Sequence, residues 1–391
     1  MKRKIKLIFL NIILIVLLIV GIIFENNTCN KQIFTKDGIL CALSLDGKNI
    51  TYFPAKGLYK VNVLCDGADG KWLYDDWKLS VENITNNISC DIKFETIPKK
   101  YLSDYVIGLT GTTQGTGQVV NEKGYRYEGK RPNNYVWFND EYWRIIGVFD
   151  SESHGQNNKN LVKIIRAEIL DGLTWDKSDI NDWTTASLNL LLNGAYYNAQ
   201  DGTSSGYCYG YTTTIPANCD YTKIGIQSKY RDMIANVTWY LGGYSSISAT
   251  TESLYGYERG TKVYTGRPTS TTGYIGLMYP SDFGYSVLAS SCARTKNIRS
   301  YTTDTCSGQS WLYGKGQIWT ITPNSSKTNY VFYMHYYGYI LHNADASDGY
   351  GVRPVAYLDS SVYVIDGDGS YDNPYIIGMW HIKTNKLFCW F

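Results

Sequence analysis

The chain has 391 residues, of which 44% are hydrophobic and 18% charged, with 36 tyrosines and 9 prolines. This composition is too apolar and too aromatic for a disordered protein, and the length allows two or three domains. The formal net charge is +2, and beyond a basic N-terminus there is no basic block, which argues against a nucleic-acid partner. Four histidines in the whole chain leave little material for a metal centre or for acid–base catalysis.

Residues 7–24 form an apolar run directly after the basic start of the chain. As a helix at ~1.5 Å per residue the run covers about 27 Å, close to the ~30 Å hydrocarbon core of a bilayer. The pattern predicts a cytoplasmic tip and transmembrane signal anchor over residues 1–25, with the rest of a single-pass protein outside the cell membrane. A cleaved signal peptide is the alternative, but residues 25–28 offer no small-residue cleavage site.

The nine cysteines contain no C-x-x-C motif, so zinc-binding and thioredoxin-like interpretations have no support. Consecutive cysteines suit local disulfides in an oxidising compartment, each contributing about 2–4 kcal/mol. The predicted pairs are Cys29–Cys41, Cys65–Cys90, Cys208–Cys219 and Cys292–Cys306. Cys389 is left over, and the spacing leaves other connectivities open.

Residues 30–96 alternate with period two and predict a small all-β, sandwich-like module. Asp46-Gly47 is a strong hairpin-turn dipeptide within it. Cys65 and Cys90 fall in phase with the inward-facing rows, where a disulfide can join two strands. Residues 97–133 are rich in turn residues and are expected to form a connector or an irregular edge of the next domain.

The next domain is predicted over residues 134–378, with a C-terminal tail at 379–391. Strand patterns occur at 135–138, 142–149, 161–166, 318–321, 331–334, 339–342, 352–358 and 362–365. Helical spacing of apolar residues predicts two helices, near 188–195 and 226–237, with long Ser-, Thr-, Gly- and Tyr-rich loops around them. Two helices and a late antiparallel group indicate an α+β domain.

No catalytic motif stands in a strand-to-helix context, so the chain is not expected to be an enzyme. The acidic segment with Asp366, Asp368 and Asp372 is a calcium candidate, because calcium takes closely spaced oxygen ligands. It lacks the later glutamate of an EF-hand, and an acidic turn between two strands is the alternative. No other metal or cofactor is expected.

Tyrosine is the strongest compositional bias, and it concentrates in segments rich in Gly, Ser, Thr and Asn. Such segments combine rigid aromatic area with small hydrogen-bonding residues, which is typical of recognition loops. Strands also favour tyrosine, so a half-buried structural role is the alternative for any single ring. The predicted ligand-binding residues are Tyr207, Tyr209, Tyr211, Tyr255, Tyr257, Tyr336, Tyr337 and Tyr339.

Several motifs resemble an uncharacterised family of exported bacterial domains. They are W-R-I-I-G-V-F at 143–149, W-T-I-T-P at 319–323 and G-V-R-P-V at 351–355. The ending is similar to that of C-type-lectin-like domains of the formylglycine-generating-enzyme kind, which implies a C-type-lectin-like α+β head. Cys292 and Cys306 are too far apart to match the active-site cysteine pair of those enzymes, so their activity does not carry over. Arg353 is expected to attach the last strands to a buried carboxylate.

These features together predict a membrane-anchored extracellular binding or adhesion protein that recognises a glycan or a surface protein through its Tyr-rich loops. Two other hypotheses stay open. One is a bacterial surface component that assembles with copies of itself. The other is an envelope enzyme that uses Asp282, Asp345 and Asp348 as acid and base.

Overall fold

The computed structural model describes residues 39–379, except for 51–52, 55–58, 75, 86–87, 97–99, 211–216, 247 and 305. The chain divides into two compact units, Met1–Lys99 and Lys100–Phe391. Three of the predicted features lie outside the described residues: the anchor at 7–24, Cys29 with its disulfide, and the tail beyond residue 379 with Cys389.

The expected membrane location needs correction. Within the residues that the structure describes, no helix combines the length and the apolar character needed to cross a bilayer. The prediction of a single-pass membrane protein is therefore wrong for this part of the chain. The same residues do contain three disulfides, which form and persist in oxidising compartments.

The predicted α+β architecture with two helices is also wrong. Strands make up 40% of the structure and helical residues 14%, so the fold is mostly β. The described residues contain six short α-helices: α1 (Leu102–Gly108), α2 (Ser151–His154), α3 (Ser187–Leu191), α4 (Ser228–Arg231), α5 (Thr251–Glu258) and α6 (Pro280–Ser286). The predicted helix near 188–195 is present as α3 and a π-helical turn, Leu192–Tyr196.

The predicted helix near 226–237 is mostly absent, although its apolar residues have helical spacing. Only α4 is helical there, and Val237–Tyr240 is a strand that pairs antiparallel with Ser270–Gly273. Ile226, Ile234 and Val237 are all buried in the core. The helical spacing of these residues therefore arises because an irregular segment is buried. The strand begins with the β-branched residues Val237 and Thr238, which favour a pleated sheet over a helix.

Unit 1 carries six strands in its described residues: β1 (Ile39–Leu45), β2 (Lys48–Ile50), β3 (Tyr59–Asp66), β4 (Asp69–Leu73), β5 (Lys78–Glu82) and β6 (Ile88–Thr96). The sheet order is β2-β1-β6-β3, and β4 and β5 form a separate hairpin. Trp72 on this hairpin contacts Phe94 of β6 edge-to-face, with ring centroids 5.1 Å apart, so the hairpin packs on the sheet. The predicted Cys65–Cys90 disulfide is confirmed, and it joins directly opposite residues of β3 and β6.

Unit 2 carries the remaining strands: β7 (Lys100–Tyr101), β8 (Thr113–Gln114), β9 (Thr116–Asn121), β10 (Tyr125–Arg131), β11 (Tyr135–Phe138), β12 (Glu141–Phe149), β13 (Leu161–Arg166), β14 (Gly172–Thr174), β15 (Val237–Tyr240), β16 (Ser270–Gly273), β17 (Ile275–Gly276), β18 (Ile318–Pro323), β19 (Tyr330–Met334), β20 (Ile340–Asp345), β21 (Gly349–Gly351), β22 (Val355–Leu358), β23 (Val362–Asp366) and β24 (Tyr375–Met379). The main sheet runs β17-β22-β13-β12-β11-β24-β23-β7, and β10, β9 and β8 join it through β12. A second sheet runs β14-β21-β18-β19-β20.

The segment 97–133, predicted to be a connector or an irregular edge, contributes ordered elements to unit 2. Strands β9 and β10 pair with each other, and β10 pairs with β12 of the main sheet. Four residues of this segment are buried in the core: Leu102 and Val106 on α1, Val119 on β9 and Tyr127 on β10. These residues extend the core of unit 2, because their apolar side chains cover the sheet next to β12.

The two disulfides predicted in unit 2, Cys208–Cys219 and Cys292–Cys306, are confirmed. Arg353 is buried as expected, but its Nε–H donates to the backbone carbonyl of Arg166 at 2.8 Å. The last strands are therefore attached through a main-chain acceptor, and among the described contacts Arg353 forms no ion pair with a carboxylate.

Candidate functional site

The β19–β20 hairpin presents a group of aromatic side chains that we call the aromatic surface: His335, Tyr336, Tyr337 and Tyr339. The His335 and Tyr339 rings are parallel, with centroids 4.7 Å apart. Tyr336 contacts His335 and Tyr337, in each case with centroids 4.1 Å apart. Tyr336 is 49% exposed and Tyr337 is 54% exposed, so about half of each residue is open to solvent.

The turn that carries the aromatic surface is fixed by its backbone. The His335 N–H donates to the Tyr339 carbonyl, and the Gly338 N–H donates to the His335 carbonyl, both at 2.8 Å. Gly338 has a φ of 82°, and a Cβ there would lie 2.3 Å from the Ser307 Cβ. Only glycine fits this position, so this conformation of the turn depends on Gly338.

Buried aromatic residues support the surface from below. Tyr333 on β19 is 7% exposed and contacts Tyr350 of β21, with ring centroids 4.8 Å apart. Tyr350 in turn contacts the buried Trp319 of β18 at 4.5 Å. Tyr333 also contacts His335, with ring centroids 6.1 Å apart, so a row of packed rings connects Trp319 to the aromatic surface. Rings that are already packed lose little further conformational freedom when a ligand binds.

The aromatic surface is uncharged near neutral pH. Burial lowers the pKa of His335 below its ordinary value of 6.5, so the imidazole is neutral at pH 7. Burial also raises the pKa of Tyr333 above 10, which keeps its phenol protonated. The surface therefore offers ring faces and hydroxyl groups to a ligand, without a formal charge on any of its rings.

The other predicted tyrosines are not part of this surface. Tyr207 is 38% exposed, and the Tyr209 hydroxyl accepts a hydrogen bond from Lys177 Nζ at 3.3 Å. Tyr211 lies outside the described residues. On α5, Tyr257 stacks on Tyr244 with centroids 4.1 Å apart.

Tyr255, also on α5, belongs to a buried ionic cluster with a structural role. The cluster consists of the buried residues Arg126, Lys163, Glu258 and Asp282 and of Arg259, whose side chain is 11% exposed and lies 3.6 Å from the Tyr255 ring centroid. Asp282 accepts hydrogen bonds from Lys163 Nζ at 2.6 Å and from Arg126 Nη1 at 2.9 Å. Burial opposes the ionisation of Asp282, but the charges of Lys163 and Arg126 outweigh it and lower its pKa to about 2.

The three carboxylates considered for an envelope enzyme do not form one acid–base site. Asp282 is buried and holds its two cations. Asp345 accepts from Asn329 at 2.8 Å, and Asp348 accepts from the Tyr350 hydroxyl at 3.1 Å, both near the end of β20. Burial and the neighbouring carboxylates of Asp179 and Asp348 raise the pKa of Asp345, whereas the described contacts of Asp282 include neither Asp345 nor Asp348.

The acidic turn proposed for calcium uses its carboxylates within the turn itself. Asp366 accepts from the Gly367 N–H at 2.8 Å, and Asp368 accepts from the Ser370 N–H at 2.9 Å. Among the residues that the structure describes, no group of three or more His, Cys, Asp or Glu is arranged to hold a metal ion. Calcium binding by Asp366, Asp368 and Asp372 stays a prediction.

The structure also has a concave feature, which we call the polar cleft, that the sequence analysis missed. It has a volume of about 360 Å³ and is lined by Gln156, Lys159, Tyr197, Arg231, Asp232, Ile234, Ala235, Asn236, Tyr274 and Asp359. The Tyr197 and Tyr274 rings are stacked with centroids 4.2 Å apart and form an aromatic wall. These two tyrosines stand far apart in the sequence, and neither is among the predicted ligand-binding residues, so the sequence analysis gave no signal for the cleft.

No protein-family model, curated protein or solved structure matches the chain. The resemblance to C-type-lectin-like domains therefore stays a prediction.

Proposed function

We propose that the chain is a non-catalytic binding protein that recognises a neutral glycan through its aromatic surface. The observation that carries this proposal is the pair of adjacent exposed rings, Tyr336 and Tyr337, on a hairpin fixed by backbone hydrogen bonds. Large aromatic side chains that face solvent on a rigid support are typical of recognition surfaces, because they bury much area on binding at little entropic cost.

The chemistry of the surface favours a sugar. A pyranose ring has an apolar face of C–H groups, which packs on an aromatic face, and an equatorial rim of hydroxyl groups. The Tyr336 and Tyr337 phenols offer both a face and a hydroxyl, and the neutral imidazole of His335 offers a further hydrogen-bonding group. The absence of a charged ring favours a neutral glycan over an anionic one.

The size of the surface also favours a small ligand. A stable protein–protein interface takes about 20–30 residues from each side. The aromatic surface has four rings, and only two of them are more than one-third exposed. One or two sugar rings match that area, whereas a protein partner would need a much wider contact.

The test is a glycan array probed with the purified full-length chain, followed by titration of the best glycan. Tyr336→Ala with Tyr337→Ala should weaken binding about tenfold or more, since one aromatic stacking contact contributes about 0.5–1.5 kcal/mol. The matched control is Tyr371→Ala, because Tyr371 is also exposed, at 58%, and its described ring contacts are with Tyr135 and Tyr142, which are not part of the aromatic surface. The control should keep wild-type affinity.

Binding that survives the double substitution, in a protein with an unchanged melting temperature, would contradict the proposal. Phenylalanine at both positions separates the two contributions: stacking survives this change, and hydrogen bonds from the hydroxyls do not. Repeating the array with and without calcium tests Asp366, Asp368 and Asp372 at the same time. A folded sample that binds no glycan but assembles with increasing concentration would favour the self-assembling surface component.

A further inference from the structure

The polar cleft lies in unit 2, where segments that are distant in the sequence are joined by hydrogen bonds. The segment after α4 contributes Ala235 and Asn236 to the lining. The Ala235 N–H donates to the carbonyl of Tyr357 on β22 at 2.8 Å. Gln156, in the loop after α2, donates from Nε2 to the Asn236 carbonyl at 2.7 Å. The backbone around the cleft is therefore fixed without a ligand, as is usual for small-molecule sites.

The aromatic wall of the cleft is attached to the π-helical turn Leu192–Tyr196. Asn193 of this turn accepts from the Tyr274 N–H at 3.0 Å and donates to the Ile275 carbonyl at 2.8 Å. Tyr197 follows the turn directly, and its ring stacks on that of Tyr274. Burial raises the pKa of Tyr197 to about 12, so its hydroxyl is protonated at neutral pH and donates a hydrogen bond. Such turns are rare and are frequently found at functional sites.

The other polar groups of the lining balance in charge. Arg231, at the end of α4, donates from Nη1 to Asn198 Oδ1 at 3.2 Å. Lys159 Nζ lies 3.7 Å from Asp359 Oδ2, so these two charges offset each other. Two basic, two acidic and two amide side chains line the cleft in all: Lys159, Arg231, Asp232, Asp359, Gln156 and Asn236. Equal numbers of positive and negative groups do not favour a ligand with a net charge of either sign.

We propose that the polar cleft binds a neutral saccharide of one or two rings. A sugar hydroxyl both donates and accepts hydrogen bonds, and an amide such as that of Asn236 offers it both kinds of partner. The Tyr197 and Tyr274 rings supply apolar contact for the C–H groups of the sugar. The volume of about 360 Å³ lies near the lower end of the range of small-molecule sites, about 300–1,000 Å³, which suits a ligand of this size. Within the described residues the cleft and the aromatic surface share no side chain, so either can bind a sugar without the other.

The test is saturation-transfer NMR on the full-length protein with the methyl glycosides of glucose, galactose, mannose and N-acetylglucosamine. The zwitterion alanine is included for comparison. Asn236→Ala with Tyr274→Phe keeps the stacked rings but removes two hydrogen-bonding groups, so it should weaken binding of the best glycoside about fivefold or more. The matched control is Asn157→Ala, because Asn157 is exposed like Asn236 but does not line the cleft. The control should keep wild-type affinity.

The variant Tyr336→Ala with Tyr337→Ala separates the two sites. A glycoside whose affinity falls in the cleft variant supports the proposal, whether or not the aromatic surface binds a glycan. A glycoside whose affinity falls only in the Tyr336 and Tyr337 variant overturns it, provided that the cleft variant is folded. Binding of alanine but of no glycoside, or binding of neither, overturns it as well. Crystals soaked in the best glycoside should show the sugar against Tyr197 and Tyr274, and a cleft that holds only water would contradict the proposal.

Discussion

Replacing Asp282 by asparagine removes the carboxylate that neutralises two buried cations while keeping the size of the side chain. Asp282 is the third residue of α6 and also accepts from the Tyr279 N–H at 2.9 Å at the start of that helix. Its other acceptor contacts are with Arg126 and Lys163. Asp282→Asn therefore leaves two basic groups in the core without their carboxylate.

The expected cost is about 3–5 kcal/mol of unfolding free energy, the range for breaking a buried ion pair from one side. Burial already lowers the pKa of Lys163 to about 8 with Asp282 present, so without that carboxylate it should fall further. The unfolded-state pKa of Lys163 is the same in both proteins, so the difference in stability depends only on the two folded-state pKa values. The loss is full at about pH 5, below the variant's lowered Lys163 pKa, and shrinks as pH rises from that pKa to about 8, the wild-type value.

Denaturant unfolding measures this effect, and a double variant tests its cause. Lys163 is surrounded by aromatic rings, with Tyr279 at 4.4 Å and Tyr357 at 5.5 Å. Methionine suits such a site, so Asp282→Asn with Lys163→Met should recover about half of the loss. The control is Asp140→Asn in the exposed pair with Lys229, which should cost at most about 1 kcal/mol.

A loss below about 1 kcal/mol for Asp282→Asn would refute this reasoning, because it would mean that the carboxylate does not offset the burial of its cations. A double variant less stable than the single one would also refute it. That result would show that the Lys163 side chain contributes through packing or through other contacts, and not through its charge.

Two further predictions concern the same unit. Burial raises the pKa of Glu258 from 4.5 to about 7, so its contribution to stability is full below pH 4.5 and is lost as pH rises through 7. Glu258→Gln should remove about 3 kcal/mol of this pH dependence of the unfolding free energy. Denaturant unfolding between pH 4.5 and 7 measures it. Gly276→Ala should lower the melting temperature, because a Cβ there would lie 2.7 Å from the Trp239 ring. The control Gly194→Ala, with open space around the new methyl group, should be neutral or stabilising by about 0.4–1 kcal/mol; a similar loss at both glycines would contradict the steric argument.

Local patterns in the sequence were enough for many of the strands and for the three disulfides that the structure describes. The runs at 135–138, 142–149 and 161–166 correspond to β11, β12 and β13, because alternation and β-branched residues act within one strand. The disulfides Cys208–Cys219 and Cys292–Cys306 follow from short loops, whose ends meet at low entropic cost. The tyrosine bias of the β19–β20 hairpin was visible for the same reason, since its rings are neighbours in the chain.

Contacts between residues far apart in the chain were decided only by the tertiary structure. Asp282 meets Arg126 and Lys163 across separations of 156 and 119 residues, and no local period marks such a meeting. The same holds for the stacked rings of Tyr197 and Tyr274 in the polar cleft. The sequence by itself determined which segments are extended, which cysteines close local loops and where aromatic area is concentrated. The tertiary structure decided which charges and rings face one another, because sheet order and burial bring together residues that the local sequence does not link.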